Sequence, residues 1–132
     1  MNDNNINKTF NLKPVDFRQF FVYWVNFIKP YHNLSEKCMN VFAELLYQRY
    51  LFSQSISDSN LLEEIVMNVS TKNKIAKHFN ITNNNLNLIY RRISAQGVIK
   101  NNRINPLFIP PIEKDKKSFK LLFIFNVDES KK

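Results

Sequence analysis

The predicted fold depends on residues 72–99, which read KNKIAKHFNITNNNLNLIYRRISAQGVI. The pattern predicts a helix, a tight turn at Asn80, a second helix capped by Thr82, and a stop at Gly97. Asparagine and glycine tolerate the left-handed backbone conformation that such a turn and such a stop require. The sequence therefore predicts a helix-turn-helix over residues 70–97.

The two helices of this motif carry one apolar stripe each. Apolar residues recur at intervals of three and four, the spacing that places side chains on one face of a helix. The predicted inner residues are Ile75, Ala76, Phe79, Ile81, Leu86, Ile89 and Ile93. The small side chain of Ala76 allows a close helix crossing, so the polar and basic residues are left on the outer face.

Three more helices are predicted before this motif, from the residues at their boundaries. The first runs from Pro14 to Pro30, because proline suits the first turn of a helix and disrupts its interior. Ser35 caps the second helix, Asp58 caps a short third helix, and Ser70 is the predicted cap of the first helix in the motif. Together these segments predict a mainly α-helical chain.

The first predicted helix carries an unusually aromatic stripe. Its inner residues, at helical spacing, are Phe17, Phe20, Phe21, Trp24, Val25 and Ile28. Aromatic side chains fill protein cores, and they are also enriched at interfaces between proteins. The spacing favours core packing, and a protein interface formed by the four aromatic residues is the alternative hypothesis.

A small β-hairpin is predicted after the motif, as the wing of a winged helix. Residues 98–100 form its first strand, residues 101–102 a tight turn, and residues 103–104 the return strand. Residues 119–127 are the predicted closing strand, after a charged loop. The whole wing covers residues 98–127, with prolines in its middle that exclude a regular central strand there.

The chain is predicted to form one domain. With 132 residues, of which 44% are hydrophobic, it is long enough to bury a core without disulfide bonds. The only cysteine, Cys38, lies in an apolar helical pattern and is predicted to be a buried core residue. We expect an extended arm at residues 1–13, a winged-helix domain at residues 14–127 and a polar tail at residues 128–132.

The net charge of +8 is concentrated in one part of the chain. The charges of residues 1–60 nearly cancel, with six basic and five acidic side chains. No acidic residue lies between Glu64 and Glu113. That interval holds Lys72, Lys74, Lys77, Arg91, Arg92, Lys100 and Arg103. Such a region favours a polyanion or an acidic protein surface as its partner.

This basic region is the candidate site for nucleic acid or another polyanion. Lysine and arginine bind phosphates, arginine also reads guanine, and asparagine amides pair with adenine edges. The predicted contacts are Lys72, Lys74, Lys77, Asn83, Asn84, Asn87, Arg91, Arg92, Lys100 and Arg103, with Lys114, Lys116 and Lys117 from the wing. Tyr90 is also expected on the outer face. Because the chain is rich in asparagine, composition and helix capping are the alternative explanation for residues 83–85.

No pattern for catalysis is found in the sequence. His32 and His78 are far apart, and no Cys/His cluster has the spacing of a zinc site. A single glycine excludes a P-loop or a dinucleotide-binding fingerprint. We therefore expect no enzyme, no metal, no cofactor and no small-molecule substrate.

Two sequence blocks carry a resemblance to a known family. Residues 34–50 (LSEKCMNVFAELLYQRY) and residues 75–99 (IAKHFNITNNNLNLIYRRISAQGVI) together resemble the winged-helix core of MarR-type regulators. The resemblance implies a winged helix over roughly residues 34–127. MarR-type proteins dimerise through long terminal helices, whereas no helix is predicted here after the wing.

A larger pattern resembles small proteins of crAss-like and related bacteriophages. It comprises residues 27–50 (FIKPYHNLSEKCMNVFAELLYQRY), residues 81–110 (ITNNNLNLIYRRISAQGVIKNNRINPLFIP) and residues 117–125 (KSFKLLFIF). The abundant Asn, Lys, Ile and Phe have A/T-rich codons, which suits such a genome. The resemblance implies a virion part, such as a ring, connector or adaptor near the portal and tail, packed against other virion proteins or copies of itself. The alternative is a phage DNA-binding transcriptional regulator.

The expected location follows from two further patterns. The longest continuous apolar run, residues 121–125, is far too short to span a membrane. The start of the sequence, MNDNNINKTF, has neither the basic residues nor the apolar core of a secretory signal. We expect the chain in the virion or in the cytoplasm of the bacterial host, without a membrane partner and not secreted.

Overall fold

The computed structural model describes residues 16–112, 118–119 and 121–128. These residues form six α-helices and one two-stranded antiparallel sheet, so the prediction of a mainly helical chain with a hairpin is confirmed. The helices are α1 (Phe17–Phe27), α2 (Lys29–His32), α3 (Glu36–Ser53), α4 (Ser59–Val66), α5 (Val69–Phe79) and α6 (Asn83–Ala95), followed by β1 (Ile99–Lys100), β2 (Arg103–Ile104) and a 3₁₀ helix (Pro106–Phe108). The predicted arm, the charged loop at residues 113–117 and residues 129–132 of the tail lie outside the described residues.

Helix α3 is the centre of the fold. It packs against α1, α4, α5 and α6, and every side chain from position 41 to position 46 is buried. Ser35 caps this helix by accepting a hydrogen bond from the backbone N–H of Cys38, and Cys38 itself is buried. The predictions that Ser35 caps this helix and that Cys38 is buried are therefore confirmed. Each fully buried apolar side chain contributes about 1.5–3 kcal/mol through its removal from water.

A buried carboxylate lies within this apolar centre. Glu44 on α3 is only 3% exposed, and Arg18 on α1 donates to both of its oxygens, from Nε at 2.9 Å and from Nη2 at 3.1 Å. Gln48 donates a further hydrogen bond at 2.9 Å, and Nε2 of His78 on α5 lies 3.6 Å from Oε1 of Glu44. Three helices are therefore connected through one side chain.

The predicted boundaries of the first helix are wrong. Asp16 caps α1 by accepting a hydrogen bond from the backbone N–H of Gln19 at 2.8 Å, and Pro14 lies outside the described residues. Ile28 ends α1, and Pro30 lies inside α2. Proline is tolerated there because the N–H groups in the first turn of a helix have no partner within the helix.

The predicted cap of α5 is also wrong. Asn68 accepts a hydrogen bond from the backbone N–H of Thr71 at 2.9 Å, and α5 begins at Val69, so Ser70 is already helical. The prediction for the next short helix is confirmed, because Asp58 caps α4 through the backbone N–H groups of its second and third residues.

The predicted connection between α5 and α6 is confirmed. Asn80 has a φ of 54° and lies in the left-handed region, and Thr82 accepts a hydrogen bond from the backbone N–H of Asn85 at 3.1 Å. Gly97 follows α6 with a φ of 78°. The inner residues Ile75, Ala76, Leu86, Ile89 and Ile93 are buried, and Phe79 and Ile81 are partly buried.

The hairpin is shorter than the predicted wing. Ile99 pairs with Ile104, and the intervening Asn101 and Asn102 both have positive φ, the conformation that matches the twist of a two-residue hairpin turn. The predicted closing strand at residues 119–127 is wrong, because the described residues from 118 onward contain no strand.

A hydrogen bond between residues distant in sequence explains why the hairpin is not extended by a further strand. After β2 the chain enters the 3₁₀ helix, and the indole Nε1 of Trp24 donates to the carbonyl oxygen of Phe108 at 2.8 Å. The prolines in this segment have no N–H group to donate to a neighbouring strand. The segment therefore packs on α1 and does not extend the sheet.

His32 is held neutral at the end of α2. Its Nδ1 accepts a hydrogen bond from the backbone N–H of Leu34 at 2.9 Å, so the proton lies on Nε2, which donates to the carbonyl oxygen of Val25 at 2.8 Å. Burial lowers the pKa of His32 below its ordinary value of 6.5.

We expect the free energy of unfolding to fall as the pH drops from about 7 to about 5. The pKa of His32 is lower in the folded chain than in the unfolded chain. At a pH between these two values, the unfolded chain is protonated at His32 and the folded chain is not. The contribution of this residue is complete above pH 6.5 and declines below it, by at most about 1.4 kcal/mol per pH unit. Urea titrations across this range measure the decline.

The decline should flatten in the variant His32→Gln. The variant His78→Gln removes the only other histidine of the chain and serves as the matched control, which should keep the decline. An equal decline in His32→Gln and the unmodified chain would contradict the assignment to His32.

Candidate nucleic-acid interface

A pocket of about 500 Å³ lies between α6, the start of α5 and the β-hairpin. The residues that line it are Met67, Lys72, Asn87, Tyr90, Arg91, Ser94, Ile99, Asn101 and Asn102. We refer to it below as the α6–hairpin pocket. Three of the predicted contact residues, Lys72, Asn87 and Arg91, meet at this pocket.

The chemistry of the α6–hairpin pocket is divided between an apolar floor and a polar rim. The floor residues Met67, Tyr90 and Ile99 are buried. The rim carries two cationic side chains, and three asparagines supply amide donors and acceptors. None of the lining residues is acidic, so the local potential is positive.

Local sequence explains how α6 presents this flank. Asn87, Arg91 and Ser94 follow one another at intervals of four and three, so they lie along one side of the helix. Arg92 lies about 100° around the helix from Arg91 and therefore faces another direction. Two adjacent arginines with the same charge thus differ in whether they line the pocket.

Tyr90 is buried, so the prediction of an outward position is wrong. It lies four residues after Leu86, which places it next to the inner stripe of α6, and it is 6% exposed. Nζ of Lys72 lies 5.1 Å from the centroid of its ring, a cation–π contact that joins α5 to α6.

The hydroxyl of Tyr90 is an unusual feature of this pocket. It is buried, and no hydrogen-bond partner for it lies within the described part of the chain. Burial raises the pKa of Tyr90, so the group stays protonated and keeps its ability to donate. A buried polar group without a partner costs about 1–3 kcal/mol.

The other predicted contacts lie away from the pocket. Nζ of Lys74 lies 5.3 Å over the ring of Phe52, and Nη1 of Arg103 donates to Oδ1 of Asn60 at 3.2 Å, which ties the hairpin to α4. Lys77, Asn83, Asn84, Arg92 and Lys100 are exposed outside the pocket lining. Lys114, Lys116 and Lys117 lie outside the described residues.

The sequence pattern does not reveal that Asn101 and Asn102 of the hairpin and Met67 of the floor line the pocket. Asn101 and Asn102 were predicted only as a turn, and Met67 had no assigned role. Ser94 was within reach of prediction, because its spacing from Asn87 and Arg91 places all three on one flank of α6. The position of the hairpin turn beside this flank depends on tertiary packing.

The aromatic stripe of α1 packs within the chain. Phe21 and Trp24 are buried, and Phe20 is half-buried with its ring edge-on to Phe119 at 5.8 Å. Phe17 stacks on Tyr50 at 4.3 Å and remains 39% exposed. Of the four residues in the interface hypothesis, Phe17 therefore offers the most surface to another protein.

The described residues contain no candidate metal site and no helix that could span a membrane. In residues 16–112, 118–119 and 121–128 no group of three or more His, Cys, Asp or Glu side chains is placed to hold a metal ion. No helix in the same ranges has both the length and the apolar character needed to cross a membrane. Compared with protein-family models, curated proteins and solved structures, the chain matches none of them.

We expect the variant Tyr90→Phe to raise the free energy of unfolding by about 1 kcal/mol, because it removes a buried hydroxyl that has no partner in the described residues and keeps the ring. Urea denaturation at neutral pH measures the change. Tyr23→Phe, at a tyrosine that is 39% exposed, is the control and should leave the stability unchanged. A less stable Tyr90→Phe variant would show that the hydroxyl is satisfied in solution.

Proposed function

We propose that this chain is a non-catalytic nucleic-acid-binding protein of the winged-helix type. The observation that carries the proposal is the convergence of Lys72, Asn87 and Arg91 beside the hairpin, in an interval without a single acidic residue. In this proposal α6 is the recognition helix, and the hairpin of β1 and β2 is the wing.

The outer face of α6 has the chemistry that the major groove selects. Asn84, Asn87 and Arg91 are exposed, and their amide and guanidinium groups match the edges of adenine and guanine. In this proposal Lys77, which is exposed in the last turn of α5, and Lys100, which is exposed on β1, neutralise phosphates.

The distribution of charge supports the same function. An acidic residue near the interface would repel phosphates, and the described residues from 65 to 112 contain none. The net charge of +8 raises the rate at which the chain meets any polyanion, and this effect weakens as salt increases.

Helix α6 is the last α-helix in the part of the chain that the structure describes, and long terminal helices like those through which MarR-type regulators form dimers are not among the described residues. For a basic winged helix that contacts DNA phosphates, we expect an affinity that depends strongly on salt. The bacteriophage setting of this proposal rests on the resemblance described above.

A second candidate function has its own supporting observation. Residues 121–127 expose several apolar side chains, and Phe125 is 87% exposed. A contact between Phe27 and Phe123, with ring centroids 5.1 Å apart, fixes part of this segment to α1. Contiguous apolar surface of this kind is typical of protein interfaces. A virion structural or assembly component, packed against other virion proteins or copies of itself, would use it.

For the first candidate we expect Arg91→Gln to weaken binding to duplex DNA about tenfold, because the guanidinium contact is lost. The slope of log affinity against log salt should become shallower by about one. Fluorescence anisotropy at two or more salt concentrations measures both changes.

Arg92→Gln is the matched control, because it removes the same charge from the next residue, outside the pocket lining. Equal losses for Arg91→Gln and Arg92→Gln would point to a non-specific charge effect and contradict the proposed interface. Absence of DNA binding at low salt would reject the function itself.

For the second candidate we expect mass spectrometry of purified virions to find this chain in a fixed ratio to the capsid proteins. The variant Phe125→Asp should lower its incorporation, because a charge in an apolar contact is costly to bury. Lys77→Gln, a surface change away from this segment, should be incorporated normally. Virions that lack the chain would reject a structural role.

A further inference from the structure

The α6–hairpin pocket combines features that duplex recognition alone does not require. A recognition helix needs exposed side chains on a convex face, whereas this pocket is concave and has a buried apolar floor. Its volume of about 500 Å³ lies within the usual size of small-molecule sites, about 300–1,000 Å³.

We propose that the α6–hairpin pocket binds a single unpaired nucleotide, with its phosphate between Lys72 and Arg91 and its base on Met67, Tyr90 and Ile99. The inference deepens the proposed nucleic-acid-binding function and rests on it. The nucleotide belongs either to a single-stranded segment or to a free mononucleotide, since both present the same chemistry to the pocket.

In this proposal Lys72 and Arg91, the cationic pair of the pocket, bind the phosphate. Neither Lys72 nor Arg91 takes part in an ion pair within the described residues. Arginine presents a planar fork that bonds two phosphate oxygens at once, and lysine adds a mobile point charge. The contact of Lys72 with the ring of Tyr90 holds the ammonium group at the edge of the pocket.

In this proposal the apolar floor of the pocket binds the flat face of the base. A nucleobase has a flat apolar face and a polar edge, and proteins that bind unpaired bases supply an aromatic or apolar surface together with hydrogen-bonding side chains. Here the surface consists of the parts of Met67, Tyr90 and Ile99 that line the pocket, since most of each side chain is buried. A base within a duplex is stacked on both faces and cannot reach it, so the pocket selects an unpaired nucleotide.

In this proposal the side chains of the hairpin turn form hydrogen bonds with the polar edge of the base. Asn101 and Asn102 both have positive φ in the hairpin turn, and both line the same pocket as Asn87. An amide offers both a donor and an acceptor, which fits the Watson–Crick edge of any base. Inorganic phosphate would use the cationic pair and leave these groups unused.

The experiment measures binding of the full chain to four probes by fluorescence anisotropy and competition. The probes are a labelled single-stranded DNA, the duplex of the same sequence, the four 5′-mononucleotides, and inorganic phosphate. We expect competition by single strands and by mononucleotides, and at least about tenfold weaker competition by phosphate.

The variants separate the pocket from the rest of the basic face. We expect Lys72→Gln and Arg91→Gln to weaken single-strand binding about tenfold, and Lys74→Gln and Arg92→Gln, with the same change in charge, to retain it. Asn102→Gly keeps the positive φ and removes the amide. It should weaken single-strand binding by a larger factor than duplex binding.

The outcomes distinguish this inference from the proposed function. Binding of duplex but not of single strands or mononucleotides would overturn the inference and leave the proposed function standing, whereas failure of every nucleic acid to bind would overturn both. Competition by inorganic phosphate equal to that by mononucleotides would overturn the assignment of a base to the floor. Single-strand binding that depends on Arg91 and Asn102 but not on Arg92 supports the inference.

Discussion

The arrangement of the helices depends on the hydrogen bonds to the buried carboxylate of Glu44. Removing a charge from water costs several kcal/mol unless partners replace the lost hydration, and Arg18 and Gln48 do so with three hydrogen bonds. These bonds are directional, whereas the apolar contacts around them tolerate small rotations of the helices. Nε2 of His78 on α5 lies 3.6 Å from the same carboxylate, and Lys72 on that helix lines the α6–hairpin pocket.

A second set of directional bonds fixes the opposite wall of this pocket. The side-chain amide of Asn105 donates to the carbonyl oxygen of Gly97 at 3.0 Å, and its backbone N–H donates to the carbonyl oxygen of Val98 at 2.8 Å. These bonds hold the end of the hairpin against the end of α6. The indole of Trp24 anchors the following segment to α1. Both walls are therefore positioned before any ligand arrives, which lowers the entropic cost of binding.

Local patterns were sufficient for most of the helical fold. The turn at Asn80, the caps at Ser35, Asp58 and Thr82 and the inner stripes follow from neighbouring residues, so most of α5 and α6 was predicted, whereas the cap of α5 and the outward position of Tyr90 were wrong. The prediction of the closing strand failed because a distant partner decides. Residues 119–127 have the composition of a strand, but a strand forms only beside a sheet edge, and the preceding segment packs on α1. The hydrogen bonds of Glu44 and the place of residues 101–102 in the candidate site also depend on tertiary packing, which no single helix or turn encodes.

The use of asparagine bears on whether the outer face of α6 has a binding role. The chain has one glycine, and Asn33, Asn80, Asn101 and Asn102 adopt the left-handed conformation that glycine usually supplies. The backbone conformation therefore gives these four asparagines a structural cause. Asn87 differs from these residues, because it lies in the interior of a regular helix, where asparagine costs about 0.5 kcal/mol relative to alanine. It is neither a cap nor a turn residue, and it lines the α6–hairpin pocket together with Arg91, as the proposed binding role requires.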